Sequence, residues 1–187
     1  TPARRSADVG GVLVDIGHPA HVHFYRQLHR QLVEDGVDVT VIARQKDVTH
    51  ALLDGFGIPY TSYGTSGQKG LAGQLAELVG RDVAIARLLR RTGASVVVTR
   101  NPAGVQAARA LRRFGIFDTD DGRAAGIHFR AAAPFAHIIT TPTSITEDYG
   151  AKHRRYNGYK ALAYLHPSAF RPDPSVRDAL GVGPDEP

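Results

Sequence analysis

Apolar residues in this chain fall in short unbroken runs, separated by longer segments in which they recur every three or four positions. The runs Val12–Ile16, Val37–Ala43, Tyr60–Tyr63, Val96–Thr99, Ile116–Asp118 and His137–Thr141 are mostly rich in Val and Ile. Continuous rather than alternating runs of this length read as strands covered on both faces, as in a parallel sheet. Between them the spacing predicts helices over Ala20–Asp35, Val48–Phe56, Leu71–Arg91, Ala103–Phe114 and Arg123–Phe135. The third is clearly periodic, with Leu71, Leu75, Leu78, Val79, Ala86 and Leu89 on one side. Right-handed β-α-β crossovers then build an α/β fold, a doubly wound, Rossmann-like parallel sheet in the order 3-2-1-4-5-6. That order opens a crevice between the first and fourth strands, at their carboxyl ends.

Local signals punctuate the pattern. Asn101-Pro102 reads as an N-cap followed by proline at the first helical position, and Ser144-Ile145-Thr146-Glu147 fits a capping box. Gly36 and Gly57 fall where helices close with a left-handed residue. Residues 1–10 read as a flexible leader and 11–160 as the Rossmann-like domain. Residues 161–187 read as a linker, with a short helix over Asp173–Leu180, leading into a second domain that the chain lacks.

Composition removes several classes of function. At 187 residues, 42% hydrophobic and 22% charged, the chain suits one ordinary globular domain. Without cysteine it has no disulfides, thiolate metal sites or cysteine nucleophile. No apolar run reaches membrane-spanning length and no signal-peptide core is evident, so the expected compartment is the cytoplasm. The net charge of +5 is modest, with basic clusters at Arg87-Arg90-Arg91, Arg112-Arg113 and Lys152-Arg154-Arg155. These either complement helix C-termini or attract anionic lipid headgroups or a phosphorylated substrate, which leaves open peripheral contact with a membrane surface. No basic stripe interleaved with aromatics is present, so nucleic acid is not an expected partner.

The chemistry concentrates at the ends of the predicted strands. Asp15-Ile16-Gly17-His18-Pro19-Ala20-His21-Val22-His23 runs from the first strand through a glycine into a helix start. Pro19 at the first helical position leaves the N–H groups of Ala20, His21 and Val22 free to cradle phosphate or carboxylate. His18 is placed to donate a hydrogen bond or act as a general base, or simply to cap the helix. His21 and His23 are two apart on a helix and share no face, which argues against a metal cluster, so no metal is assigned. Arg100 at the end of the fourth strand suits a phosphate or carboxylate, with Asn101 beside it as ligand contact or cap. Asp118-Thr119-Asp120-Asp121 closes the fifth strand, either as a contact for sugar hydroxyls, a base or a cation site, or as a solvated turn. Thr141 places a hydroxyl at the end of the sixth. Gly64-Thr65-Ser66-Gly67-Gln68-Lys69-Gly70 lacks the Gly-Lys-Ser/Thr of a P-loop and reads as lid or connector. The dinucleotide glycine fingerprint is missing from the first turn, and no cofactor is expected.

Three stretches carry a family resemblance: Asp15-Ile16-Gly17-His18-Pro19-Ala20-His21-Val22-His23-Phe24, Ala43-Arg44-Gln45-Lys46-Asp47-Val48-Thr49, and Arg155-Tyr156-Asn157-Gly158-Tyr159-Lys160 with Leu162-Ala163-Tyr164-Leu165-His166-Pro167. They resemble the family called domain of unknown function 354, over nearly all of Gly11 to Val182. That family is similar to the glycosyltransferase-B superfamily. The resemblance implies the N-terminal, acceptor-side half of a two-domain enzyme that transfers a sugar from a nucleotide-sugar donor to an unidentified acceptor. By that analogy His18 and the acidic segment Asp118–Asp121 line the interdomain cleft. With the strand-end reading, this makes His18 the expected general base or phosphate contact, and Gly17, His21, Arg100, Asn101, Asp120 and Thr141 the expected substrate-binding residues. A nucleotide-sugar epimerase or hydrolase half, or a non-catalytic docking half, are the other readings it allows. The segment Phe114-Gly115-Ile116-Phe117-Asp118 is shorter than its family counterpart.

Overall fold

The computed structural model describes residues 10–65 and 71–183. Seven strands among them form one parallel sheet: β1 (Val12–Ile16), β2 (Val39–Gln45), β3 (Thr61–Thr65), β4 (Val96–Thr99), β5 (Phe114–Asp118), β6 (Ile138–Pro142) and β7 (His153–Tyr156). The order is 3-2-1-4-5-6-7. Helices α1 (Pro19–Glu34), α2 (Thr49–Gly55), α3 (Leu71–Thr92), α4 (Pro102–Ala110) and α5 (Ile127–Ala132) connect them, and α6 (Leu162–Leu165) and α7 (Ser175–Leu180) follow the sheet.

Alternate residues of the central strands feed two cores. Val12, Val14 and Ile16 of β1 pack with Val22 and Tyr25 of α1 and Leu53 of α2. Leu13, Ile42 and Val97 face the other way, against Ile85 and Leu89 of α3 and Ala103 and Ala107 of α4. Phe117, Phe129 and Ile139 extend this second layer towards β6. Double-sided burial is what makes the strand sequences continuous apolar runs. Gly36 and Gly57 both take positive φ, at 74° and 63°, where α1 and α2 close.

The architecture is the expected doubly wound sheet, with four local differences. β7 extends the sheet beyond the six expected strands, pairing Ile139 with His153 through to Pro142 with Tyr156. An edge strand has one neighbour and partial exposure, so His153-Arg154-Arg155-Tyr156 needs no apolar run. The expected helix over Arg123–Phe135 is broken by Gly126 (φ 60°), which separates a 3₁₀ turn at Gly122–Ala125 from α5. The fourth helix stops at Ala110, where Arg113 N–H bonds to the Ala108 carbonyl, and this releases Phe114 into a full five-residue β5. No α-helix starts at Ser144–Glu147, and only a 3₁₀ turn at Gly150–Lys152 follows. The Ile145 N–H instead closes a turn on the Pro142 carbonyl, and Arg155 bonds the carbonyls of Ile145, Thr146 and Glu147.

Arg154 and Lys152 are likewise spent on carbonyls, of Ala151 and His153 and of Ala133 and Ala136 respectively, so the third basic cluster holds backbone together. The other clusters differ. Because α3 and α4 run antiparallel to the strands, Arg90, Arg91, Arg109, Arg112 and Arg113 gather at the amino edge of the sheet. Residues 1–9, 66–70 and 184–187, with the α3 side chains before Gly80, lie outside the described residues; so do most of the expected leader, the centre of the polar loop and part of the α3 stripe. No helix among the described residues is long and apolar enough to cross a membrane.

Candidate functional site

At the opposite, carboxyl edge, the loops after β1, β4 and β5 enclose a polar cleft of about 470 Å³, walled by α3 and α5. This is where strand order reverses, between β1 and β4. Of the expected residues, Gly17, His18, His21, Arg100, Asn101 and Asp120 all line it. Thr141 does not. It is fully buried, with Oγ1 2.8 Å from Nε2 of His153, because its side chain faces β7 rather than the cleft. Its neighbour Thr140 donates to Asp118 Oδ1 at 2.9 Å instead.

The floor of the cleft is a hydrogen-bonded knot around Asp15, which has no exposed surface. The Tyr63 hydroxyl donates to Oδ1, while Thr99 Oγ1 (2.7 Å) and Asn101 Nδ2 (2.9 Å) donate to Oδ2. Three donors satisfy a carboxylate that burial otherwise pushes towards its neutral form. The knot also orients the Asn101 amide. Gly17 is required beneath it, since a Cβ there would lie 2.6 Å from Asn101 Nδ2. Asn101 still starts α4 as the expected N-cap with Pro102 behind it, but its side chain is committed to Asp15 rather than to the helix.

Arg100 forms the second buried cluster. Its guanidinium donates to Asp118 Oδ2 at 2.5 Å, pairs with Asp120, and lies 5.5 Å from the centre of the Phe24 ring. Lys160 approaches the other Asp120 oxygen at 3.5 Å. Burial raises the Asp118 carboxyl, an effect opposed mainly by Arg100, and burial together with Arg100 lowers the Lys160 ammonium. The protein's own carboxylates therefore occupy Arg100, and the acidic segment is a structural partner rather than a freely solvated turn.

The three histidines of the first loop separate. His18 caps α1, its Nδ1 accepting from Ala20 N–H at 3.2 Å. A neutral ring with Nδ1 as acceptor carries its proton on Nε2. His21 accepts from Gly17 N–H at 3.3 Å, and burial lowers its pKa to about 3, so it stays neutral. His23 turns away, packing between Phe56 and Tyr164. The amides at the helix start are engaged: His21 N–H bonds to the His18 carbonyl, as Ala20 N–H does to the His18 ring. Among the described residues, no three potential metal ligands are grouped.

The cleft also holds residues that sequence reasoning did not select: Arg44, Lys46, Arg81, His128 and Lys160. Arg44, Lys46 and Lys160 lie within the quoted family stretches, and that was the available signal. Arg81 and His128 sit inside helical segments and had none. On the other face, beside α1, an almost wholly apolar groove of about 570 Å³ runs along Val96, Val98 and Ile116. Asp118 touches both spaces.

The sheet and the cleft at its switch point define a Rossmann-like α/β domain. The chain belongs to the family described as Protein of unknown function (DUF354), which matches residues 11–164. No curated protein matches its sequence. Among solved structures, it is similar to MurG from Acinetobacter baumannii (TM-score 0.64, 16% identity, over 79% of this chain and 45% of that one). It is also similar to MnaA of S. aureus, solved with UDP (TM-score 0.68, 11% identity, 92% and 51%). A third is the UDP-GlcNAc 2-epimerase of Methanocaldococcus jannaschii (TM-score 0.58, 16% identity, 72% and 40%). The matched region thus spans about half of each of these proteins.

Proposed function

We propose that this domain is the N-terminal, acceptor-side half of a glycosyltransferase-B-like enzyme using a nucleotide-sugar donor. The observation that carries the reading is the cleft itself: polar, at the switch point, and formed by loops from three strands. Its likeness to about half of MurG and of the UDP-bound MnaA supports reading it as one wall of a site, the other wall coming from a second Rossmann-like domain. Transfer breaks the bond between the sugar's anomeric carbon and the donor phosphate and forms a bond to an acceptor oxygen. The acceptor's proton passes to a base, and the nucleoside diphosphate departs.

His18 is the group placed to meet the acceptor. It is neutral at pH 7, because burial and the nearby Lys46 lower its pKa. As the structure stands, Nε2–H is a donor and Nδ1 is taken by the helix cap. Accepting a hydroxyl proton therefore requires release of that 3.2 Å cap bond as the acceptor docks. Asn101, held by Asp15, and neutral His21 complete the polar wall, while Arg100 with Asp118 and Asp120 keeps it rigid.

The test offers UDP-N-acetylglucosamine to the 187-residue chain and to the longer protein that the reading requires. Transfer by the longer protein alone, lost in His18→Ala, supports it. Robust transfer by the 187-residue chain overturns the division between halves, and an unaffected His18→Ala removes the central residue. A second reading, a nucleotide-sugar epimerase half, draws on the extensive overlap with MnaA. It predicts an epimerised sugar nucleotide and no glycoside.

A further inference from the structure

Two of the arginines that line the cleft are in opposite situations, Arg100 buried and Arg81 half-buried. Arg100 is matched by Asp118 and Asp120. Arg81, on the α3 wall, has a buried Nε with no hydrogen-bond partner, and no ion pair among the described residues engages its guanidinium. The carboxylate at the cleft floor, Asp15, feels its charge but has already filled both oxygens with Tyr63, Thr99 and Asn101. Asp82, the next residue along the helix, points about 100° away around the helix axis. The buried Nε of this half-buried cation leaves a donor whose missing partner costs free energy unless an anion from solution completes it.

The first backbone donors of α1 are spent. The amides of Ala20 and His21 at the start of α1 bond to His18. A phosphate cradle on that helix start, the natural expectation from Gly17-His18-Pro19, has its donors filled. Arg81 on one wall and His128 of α5 line the same cleft. We propose that Arg81 receives an anionic group of phosphate type from the ligand of this cleft, with the neutral His128 ring as a second donor. The planar fork of an arginine takes two oxygens of such a group at once. The field agrees with the geometry: burial holds His18, His21 and His128 neutral, reinforced by Lys46 at His18, by Arg100 and Lys160 at His21, and by Arg81 and Arg100 at His128. This inference rests on the cleft being the ligand site of the proposed enzyme half, and it specifies which chemical feature of the ligand the domain itself grips.

The experiment uses the 187-residue chain in low-salt buffer at pH 7.5. Calorimetric titrations with inorganic phosphate, pyrophosphate and UDP are compared with sodium chloride at equal ionic strength. Pyrophosphate is expected to bind, with affinity falling at least tenfold in Arg81→Gln and by a smaller factor in Arg81→Lys, which keeps the charge but loses the fork. Arg109→Gln, at the far edge of the sheet, serves as the charge control and is expected to bind as the parent does. The His128 imidazole NMR signals should move on saturation in the parent chain and stay still in Arg81→Gln. Circular dichroism checks folding, and should Arg81→Gln unfold, Arg81→Lys and the His128 signals carry the test. Absence of anion binding beyond the chloride control, or equal affinity in the parent and both Arg81 variants, overturns the proposal. If pyrophosphate and UDP bind equally well through Arg81, the anion subsite stands while the nucleotide reading loses this support. UDP binding that ignores Arg81 does the reverse.

Discussion

Both edges of the sheet carry charged residues and use them in opposite ways. At the amino edge, Arg109, Arg112 and Arg113 stand around Phe114 and His137, largely in water. At the carboxyl edge, Asp15, Arg100 and Asp118 are each less than a tenth exposed and are locked into specific hydrogen bonds. Removal from water makes each interaction stronger and each unpaired group more costly. The carboxyl edge therefore has fixed geometry and shifted proton affinities, which are what recognition and catalysis require.

The sharpest way to break this contrast is to remove one partner of the buried ion cluster. Asp118→Ala leaves Arg100 with Asp120 alone, and should cost about 3 kcal/mol of stability, measured as a lower midpoint in urea unfolding. A loss below about 1 kcal/mol would mean that the cluster is hydrated like a surface pair. Next comes Asp15→Asn, which turns an acceptor of three hydrogen bonds into a group with its own N–H donors. About 2 kcal/mol is expected, together with a changed Asn101 amide signal by NMR. An unmoved Asn101 resonance would show that Asp15 does not position it.

Acid probes the same region without a buried substitution. The folded-state pKa of His21 is about 3, against an ordinary value of 6.5, so below about pH 6.5 the unfolded chain takes up a proton that the folded chain refuses. The stability this residue contributes is complete above that pH and declines as pH falls from 6.5 towards 3. Between pH 7 and 5.5 the loss from His21 should be about 1 kcal/mol. The slope should flatten in His21→Gln, and identical pH profiles for the two proteins would refute the assignment. At the amino edge the expected effects are smallest. Arg113→Gln should change stability by less than about 0.5 kcal/mol, and a larger change by thermal melting would show that this edge, too, holds an organised site.

Legibility in the sequence follows the same division. The strands β1 and β4 were visible to the residue because both faces are buried and their runs open on three consecutive Val or Leu residues. β7 was invisible because its single neighbour and partial exposure let arginine and histidine into a strand. The expected helix after Asp121 was too long, since its alanine-rich pattern hides a glycine that takes positive φ. At the site, Gly17, His18, His21, Arg100, Asn101 and Asp120 could be named because they follow strands. Arg81 and His128 could not, since a cleft-facing helical residue looks in sequence like any solvated one. Thr141 was named for standing at a strand end, but its hydroxyl is taken by His153 of β7, a partner set by the neighbouring strand.

By itself the sequence determined the class of fold, the order of its central strands and the edge where chemistry gathers. Those properties follow from local periodicity, turn residues and the handedness of crossovers. Only the tertiary structure decided which charges are spent and which are available. Asp15 meets Asn101 across 86 positions and Arg100 meets Asp118 across 18, while Arg81 meets no carboxylate among the described residues. A side chain's charge is written in the sequence, but its partner and its access to water are properties of distance in three dimensions.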